Sequence, residues 1–192
     1  MENKIHLRAV NIRRMTVSSV LIALAAVLSL IKVYKLPLGG AITLMSMLPI
    51  VMISVMFGVK WGTWSAFVYS VIQLAFGIIM DGLFAWGLTW YALVGTIALD
   101  YFAAFTVLGF AAMLRKFGTV GIIIGVAIVC AARFMCHFAS GIIIFGTITS
   151  ADSWIYSLTY NGSYMLPELI ITCVTAAVLF NLPQIKRLVK HA

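Results

Sequence analysis

Apolar residues fill this chain in long, nearly unbroken blocks, and the sparse polar residues between them mark where helices would end. A helix needs roughly 20 consecutive apolar residues to cross the hydrocarbon core of a bilayer. Six blocks come near that length: 16–31, 44–59, 61–80, 88–114, 120–145 and 164–182. The pattern predicts an all-α integral membrane protein with six transmembrane helices, a single membrane domain over residues 1–192. It has an N-terminal tail at 1–15, helices at 16–182 and a C-terminal basic tail at 183–192. Between the first two blocks, KLPLGGAITLMSMLPI contains Pro37, Gly39 and Gly40, which punctuate a helix. That stretch is expected either to fold over a pocket as a lid or to serve as a plain connector, and a short re-entrant piece near 36–43 is the alternative to a simple loop.

Composition agrees with the pattern. Hydrophobic residues make up 64% and charged residues 9% of the 192, and the mean hydropathy is +1.12, values outside the range of soluble globules. A net charge of +8 would suit nucleic acid if it were clustered. Here the basic residues stand at block ends, where membrane topology places them, so membrane lipid replaces nucleic acid as the expected partner. The N-terminal tail, Lys60, Arg115 with Lys116, and the C-terminal tail put ten Lys and Arg on one side, against Lys32 and Lys35 on the other. Both termini are therefore expected in the cytoplasm, with the loops after the first, third and fifth helices outside. Lys32, Tyr34 and Lys35 follow the first apolar block in place of a small-residue cleavage site, which predicts a retained helix and not a signal peptide.

Cys130, Cys136 and Cys173 lie inside apolar blocks without metal-ligand spacing and read as small core residues. No cofactor or metal is expected. The motifs GxxxxGK[ST], HExxH, GxSxG and CxxC do not occur, so nucleotide hydrolysis and the corresponding hydrolase chemistries are not expected of this chain.

What remains are a few ionisable groups at membrane depth, where they are costly and usually face a bundle interior or a cavity. Arg133, His137 and Phe145, spaced by four and eight, share a helical face. Asn161, Tyr164 and Glu168, at offsets of three and seven, share another. Glu168 lies about 10 Å deeper than Asn161, and Arg133 about 6 Å deeper than His137, at about 1.5 Å per residue. An inner Arg133–Glu168 structural ion pair and an outer site with His137 and Asn161 follow. Asp100 stands on the fourth block, with Thr96 on its face and Trp90 about 15 Å away along the helix. Asp100 and Glu168 against Arg133 leave one negative charge, to be neutralised either by protonating a buried Asp100 or by a cationic ligand. The aromatics Trp90, Tyr101, Phe145, Trp154 and Tyr156 suit a planar cation, although each alone is explained by packing. In the first helix Ser19, Ala23 and Ala26 form a smooth stripe on which another helix, of a partner or of this chain, can dock.

The segments ARFMCHFASGIIIF, YSLTYNGSYMLPEL, ALDYFAAFTVLGFAAML and LPLGGAITLMSMLPI, with their H-F-x-x-G and Y-S-x-x-x-N-G elements, resemble the thiamine-specific S components of energy-coupling factor transporters. The resemblance implies the S-component fold and a bacterial cell membrane location. It also implies a substrate-binding subunit for thiamine that joins a transmembrane coupling subunit and two ATPase subunits. By motif, Tyr101, His137, Tyr156 and Asn161 fall on thiamine-contacting positions. Asp100 replaces an expected glutamate, Phe145 replaces a stacking tryptophan, and Trp90 aligns near a pocket tyrosine. Three other readings compete: an S component for another cationic or aromatic vitamin, an intramembrane enzyme using Asp100 and His137 as acid and base, and a self-sufficient secondary transporter. The last would ordinarily carry internal repeats and ion sites.

Overall fold

In a computed structural model, the backbone is described for residues 2–148 and 152–190, and side chains for 8–144, 146 and 152–189. The long apolar runs form helices, beginning with α1 (Glu2–Leu30). Its 29 residues span about 43 Å at 1.5 Å per residue, more than a bilayer core, so most of the expected tail is helical. The following loop is neither re-entrant nor shapeless. It is an antiparallel hairpin of β1 (Lys32–Lys35) and β2 (Ala41–Thr43), with Tyr34 opposite Ile42 and a 3-10 turn at Pro37–Gly39. Among the described residues this hairpin is the one departure from an all-α fold.

The second expected span is shorter than hydropathy suggested. Left-handed Met45 (φ 57) and the Thr43–Ser46 hydroxyl contact interrupt its start, leaving α2 (Leu48–Phe57), about 15 Å long. Ile50, Val51, Ile53, Ser54 and Val55 are fully shielded from solvent. A helix that is apolar all round belongs in the core, and α2 is enclosed by the other helices.

After α3 (Val59–Ile79) and a short 3-10 turn, the fourth span is a helix of changing pitch. α4 (Trp90–Thr96) passes into a π-helical stretch, Ile97–Ala103, then α5 (Ala104–Thr106), then a 3-10 stretch, Val107–Phe117. The buried Ser54 hydroxyl stabilises the irregular backbone by donating to the Gly109 carbonyl at 2.5 Å and accepting from the Ala112 N–H at 3.2 Å. Gly118, at φ +70, turns the chain into α6 (Gly118–Ile148). The last membrane helix, α7 (Ser153–Asn181), starts well before the expected residue 164 and contains Pro167. The basic tail folds as α8 (Pro183–Lys190), with Ile185 and Val189 against the core and Lys186 and Arg187 outward.

Among the described residues, four helical stretches are long and apolar enough to cross a membrane. One of them, Trp90–Ile144, folds back at Gly118 and so contributes two passes. With the short α2, the count of six agrees with the sequence. The three cysteines are unpaired, Cys130 buried and Cys136 and Cys173 half-buried.

Candidate ligand-binding site

Three helices present polar side chains to one cavity beneath the hairpin. The four-residue spacing of Arg133, His137 and Gly141 lines them along one face of α6; the π-helical stretch supplies Asp100 and Tyr101; and α7 supplies Tyr160, Asn161 and Tyr164. The cavity has about 110 Å³ open to water centres, several times what one water occupies.

At its floor, Arg133 Nη1 lies 3.2 Å from Glu168 Oε2, with both side chains buried. Glu168 Oε1 accepts from the Thr43 backbone N–H at 3.0 Å and the Thr43 hydroxyl at 2.5 Å. The guanidinium stands 4.5 Å over the Phe105 ring. A buried pair holds its charges only when the remaining donors and acceptors are also engaged, and Thr43 meets that need for Glu168. The same contacts tie β2 to α7.

One layer up, His137 Nδ1 and Asp100 Oδ1 are 2.9 Å apart, and Ser140 donates to Asp100 Oδ2 at 2.8 Å. Against an ionised carboxylate Nδ1 must carry the proton, since two acceptors would repel at that distance. In the neutral imidazole Nε2 is then an acceptor. It is buried and has no partner among the described residues, and His137 lines the cavity.

Asn161 is more constrained. Its Nδ2 donates to the carbonyls of His137 and Ser157, at 3.2 and 3.0 Å, and its Oδ1 accepts from the Tyr164 hydroxyl at 2.8 Å. Two carbonyl acceptors fix which end of the amide is nitrogen. Gly141 permits this approach of α6 to α7, because a Cβ there would meet the Ser157 hydroxyl and stand 2.9 Å from Asn161 Nδ2.

The hairpin closes the top. The Tyr160 hydroxyl accepts from the Gly40 N–H at 3.1 Å and donates to the Pro37 carbonyl. Asp81, at the end of α3, takes Lys32 at 2.8 Å and Lys35 at 2.9 Å, while Trp86 Nε1 donates to the Asp81 carbonyl at 2.9 Å.

Of the residues expected in a site, Asp100, Tyr101, His137 and Asn161 line this cavity together, with Arg133 beneath. Trp90 does not, being 77% exposed, and Tyr156 is 46% exposed and outside the lining. The Phe145 side chain lies outside the described residues. Ser19 and Ala23 face outward from α1, whereas Ala26 packs against the core. Sequence reasoning did not place Lys32, Asp81, Trp86, Ser140, Tyr160 and Tyr164 at the site. Spacing sets Tyr164 on the face of Asn161 but not in the site, and Tyr160, four residues before it, carried the clearest unused signal. The charge count also changes, since Lys32 and Asp81 reach the cavity. Pair by pair, Asp81 has two lysines and Glu168 has Arg133, but the ion pairs among the described residues give Asp100 only His137.

Comparison with known proteins points in one direction. Residues 15–187 match the family model described as Thiamine transporter protein (Thia_YuaJ). The thiamine transporter ThiT of Bacillus subtilis strain 168 is 31% identical over 193 residues, an alignment covering 93% of each chain. The solved structure of ThiT from Listeria monocytogenes superposes with a TM-score of 0.74 at 16% identity, over 93% of this chain and 98% of that one. At that identity the superposition establishes the fold.

Proposed function

Because the chain belongs to the thiamine transporter protein family, we propose that it is the thiamine-binding S component of an energy-coupling factor importer. In this reading it captures the vitamin at the outer face of a bacterial cell membrane. A transmembrane coupling subunit and two ATPase subunits supply the energy. The enzyme reading of Asp100 and His137 gives way, since the family is one of transporters.

One observation carries the assignment. Among the described residues, a carboxyl group without a permanent cation beside it, Asp100, shares the cavity with a buried imidazole nitrogen that lacks a partner, Nε2 of His137. Thiamine offers the complement of both, a fixed positive charge on its thiazolium and an amine donor on its pyrimidine. Asp100 is assigned to the thiazolium charge or the aminopyrimidine donors, with His137 Nε2 as an acceptor for the latter. Tyr101 forms cavity wall. Asn161, whose amide is already engaged within the protein, holds α6 and α7 in register around the ligand. Phe145 and Trp90 are assigned to stacking and Tyr156 to a hydrogen bond. For Trp90 and Tyr156 this requires rearrangement on binding, as both lie outside the cavity lining. Arg133 and Glu168 are structural.

The ten-to-two distribution of Lys and Arg supports cytoplasmic termini and an outward cavity. Impermeant thiol labelling of single cysteines in intact cells is expected to modify residue 152 and spare residue 187. For the substrate, titration calorimetry of the purified protein is expected to show saturable one-to-one binding of thiamine. Absence of binding, with saturation by a different aromatic or cationic vitamin, would reassign the substrate within the same fold.

A further inference from the structure

The chain has a second cavity, at the end of the bundle away from the ligand site. Helix α3 runs from Val59 to Ile79 beside Asp81, and α7 runs from Tyr160 under the hairpin to Phe180. The second cavity lies where α2 and α7 end and α6 begins, next to the start of α3, and has about 660 Å³ of space. Its walls are of two kinds. Met56, Ile122, Phe180 and Val189 are apolar, while Arg115, Lys116 and Lys186 are basic. Among the described residues no acidic side chain lines it. The acidic side chains described, Asp81, Asp100, Asp152 and Glu168, belong to the opposite half of the molecule.

We propose that this cavity is a binding site for the headgroup of an anionic phospholipid from the adjacent leaflet. Arg115 Nη1 donates to the Val55 carbonyl at 3.1 Å, which fixes the guanidinium at the end of α2 and leaves its other N–H groups for a ligand. Lys116 stands 5.0 Å over the Phe117 ring, at the same end of the 3-10 stretch. Lys186 comes from α8, a helix too short and too polar to cross a membrane. Its Ile185 and Val189 rest on the core while Lys186 and Arg187 stay exposed, the arrangement of a helix lying at a lipid headgroup surface. Basic clusters next to membrane helices attract anionic lipids, and basic pockets between such helices hold their headgroups. Acyl chains would then meet the apolar wall, which is why a lipid suits this cavity better than a free phosphate or an acidic protein segment. The inference is independent of what the opposite cavity binds.

Native mass spectrometry of the detergent-purified protein tests it with phosphatidylglycerol, phosphatidylcholine of the same chains, and glycerol phosphate. Wild type is expected to retain phosphatidylglycerol over the other two. Lys116→Gln with Lys186→Gln should weaken that retention by roughly fivefold for each charge removed. Lys116→Arg with Lys186→Arg should restore it. Arg8→Gln with Lys60→Gln removes the same net charge outside the cavity and should change retention little. Far-UV circular dichroism and thermal unfolding of each variant report whether the protein is folded. Equal retention of both lipids, equal loss in the Arg8 and Lys60 control, retention of glycerol phosphate as strong as that of lipid, or displacement of lipid by an acidic peptide would each overturn the assignment.

Discussion

Asp100 Oδ1 and His137 Nδ1 meet at 2.9 Å, although one residue sits on a π-helical turn and the other on a regular helix 37 positions later. The contact sets the chemistry of both groups. By accepting from Nδ1–H, Asp100 leaves Nε2 as the acceptor facing the cavity in the neutral imidazole. Ser140 occupies the other carboxylate oxygen at 2.8 Å. The carboxyl group is thus held in place with lone pairs to spare.

Below it, Glu168→Gln should destabilise the protein even without vitamin. The substitution strands the buried Arg133 charge and weakens the acceptor used by Thr43. Breaking a buried pair typically costs about 3 to 5 kcal/mol, which corresponds to a fall in Tm on the order of 10 °C for a chain of this size. Thermal unfolding of the apo protein in detergent measures it. An unchanged Tm with lost thiamine binding would instead make Glu168 a ligand residue.

Tyr160→Phe should loosen the cover of the site without altering its floor. It removes the hydroxyl that joins α7 to the Gly40 N–H and the Pro37 carbonyl. Each hydrogen bond contributes about 0.5 to 1.5 kcal/mol net, so thiamine is expected to dissociate roughly tenfold faster. Stopped-flow tryptophan fluorescence, with Trp86 at the cavity wall as reporter, reads the rate. An unchanged dissociation rate would mean that the hairpin does not gate release.

The parts of this architecture that the sequence made legible are those governed by apolarity and by depth. Six blocks became six helices, and the rise per residue placed Arg133 level with Glu168. The misreadings have physical causes. Hydropathy reports how apolar a segment is, not whether lipid or protein surrounds it, so the buried α2 looked like a full span. Lys32 was weighed only for topology and as evidence against a cleavage site, although the hairpin folds it back onto Asp81 at the end of α3. The face shared by Thr96 and Asp100, with Trp90 about 15 Å away along the helix, assumed 3.6 residues per turn throughout. The π-helical stretch from Ile97 changes that pitch, and Asp100 lines the cavity while Thr96 is buried outside its lining and Trp90 is exposed.

On α1, Ala23→Trp should separate binding from transport. Ser19 and Ala23 face away from the bundle, where a bulky ring would block close approach of a coupling helix without disturbing the core. The purified subunit is expected to bind thiamine as wild type does, while uptake by cells expressing the complete importer falls severalfold. Normal uptake at normal expression would place the docking surface elsewhere.

The most discriminating variant is Asp100→Asn. The amide can still accept from His137 Nδ1–H and still meet Ser140, so the local geometry persists while the charge is removed. Thiazolium is cationic at every accessible pH, so the electrostatic contribution depends on Asp100 and not on the ligand. Loss of one charge-assisted contact should weaken thiamine binding by roughly 2 to 4 kcal/mol, about thirtyfold to a thousandfold. Phe145→Ala, which would remove the ring assigned above to stacking, should on that assignment cost less, near 1 to 3 kcal/mol by analogy with base stacking on aromatics. A neutral deaza analogue, with the thiazolium nitrogen replaced by carbon, isolates the charge. By titration calorimetry wild type should prefer thiamine over this analogue, and Asp100→Asn should largely lose the preference. If both proteins discriminate equally, Asp100 does not read the positive charge, and its role reduces to orienting His137 as an acceptor for the pyrimidine amine.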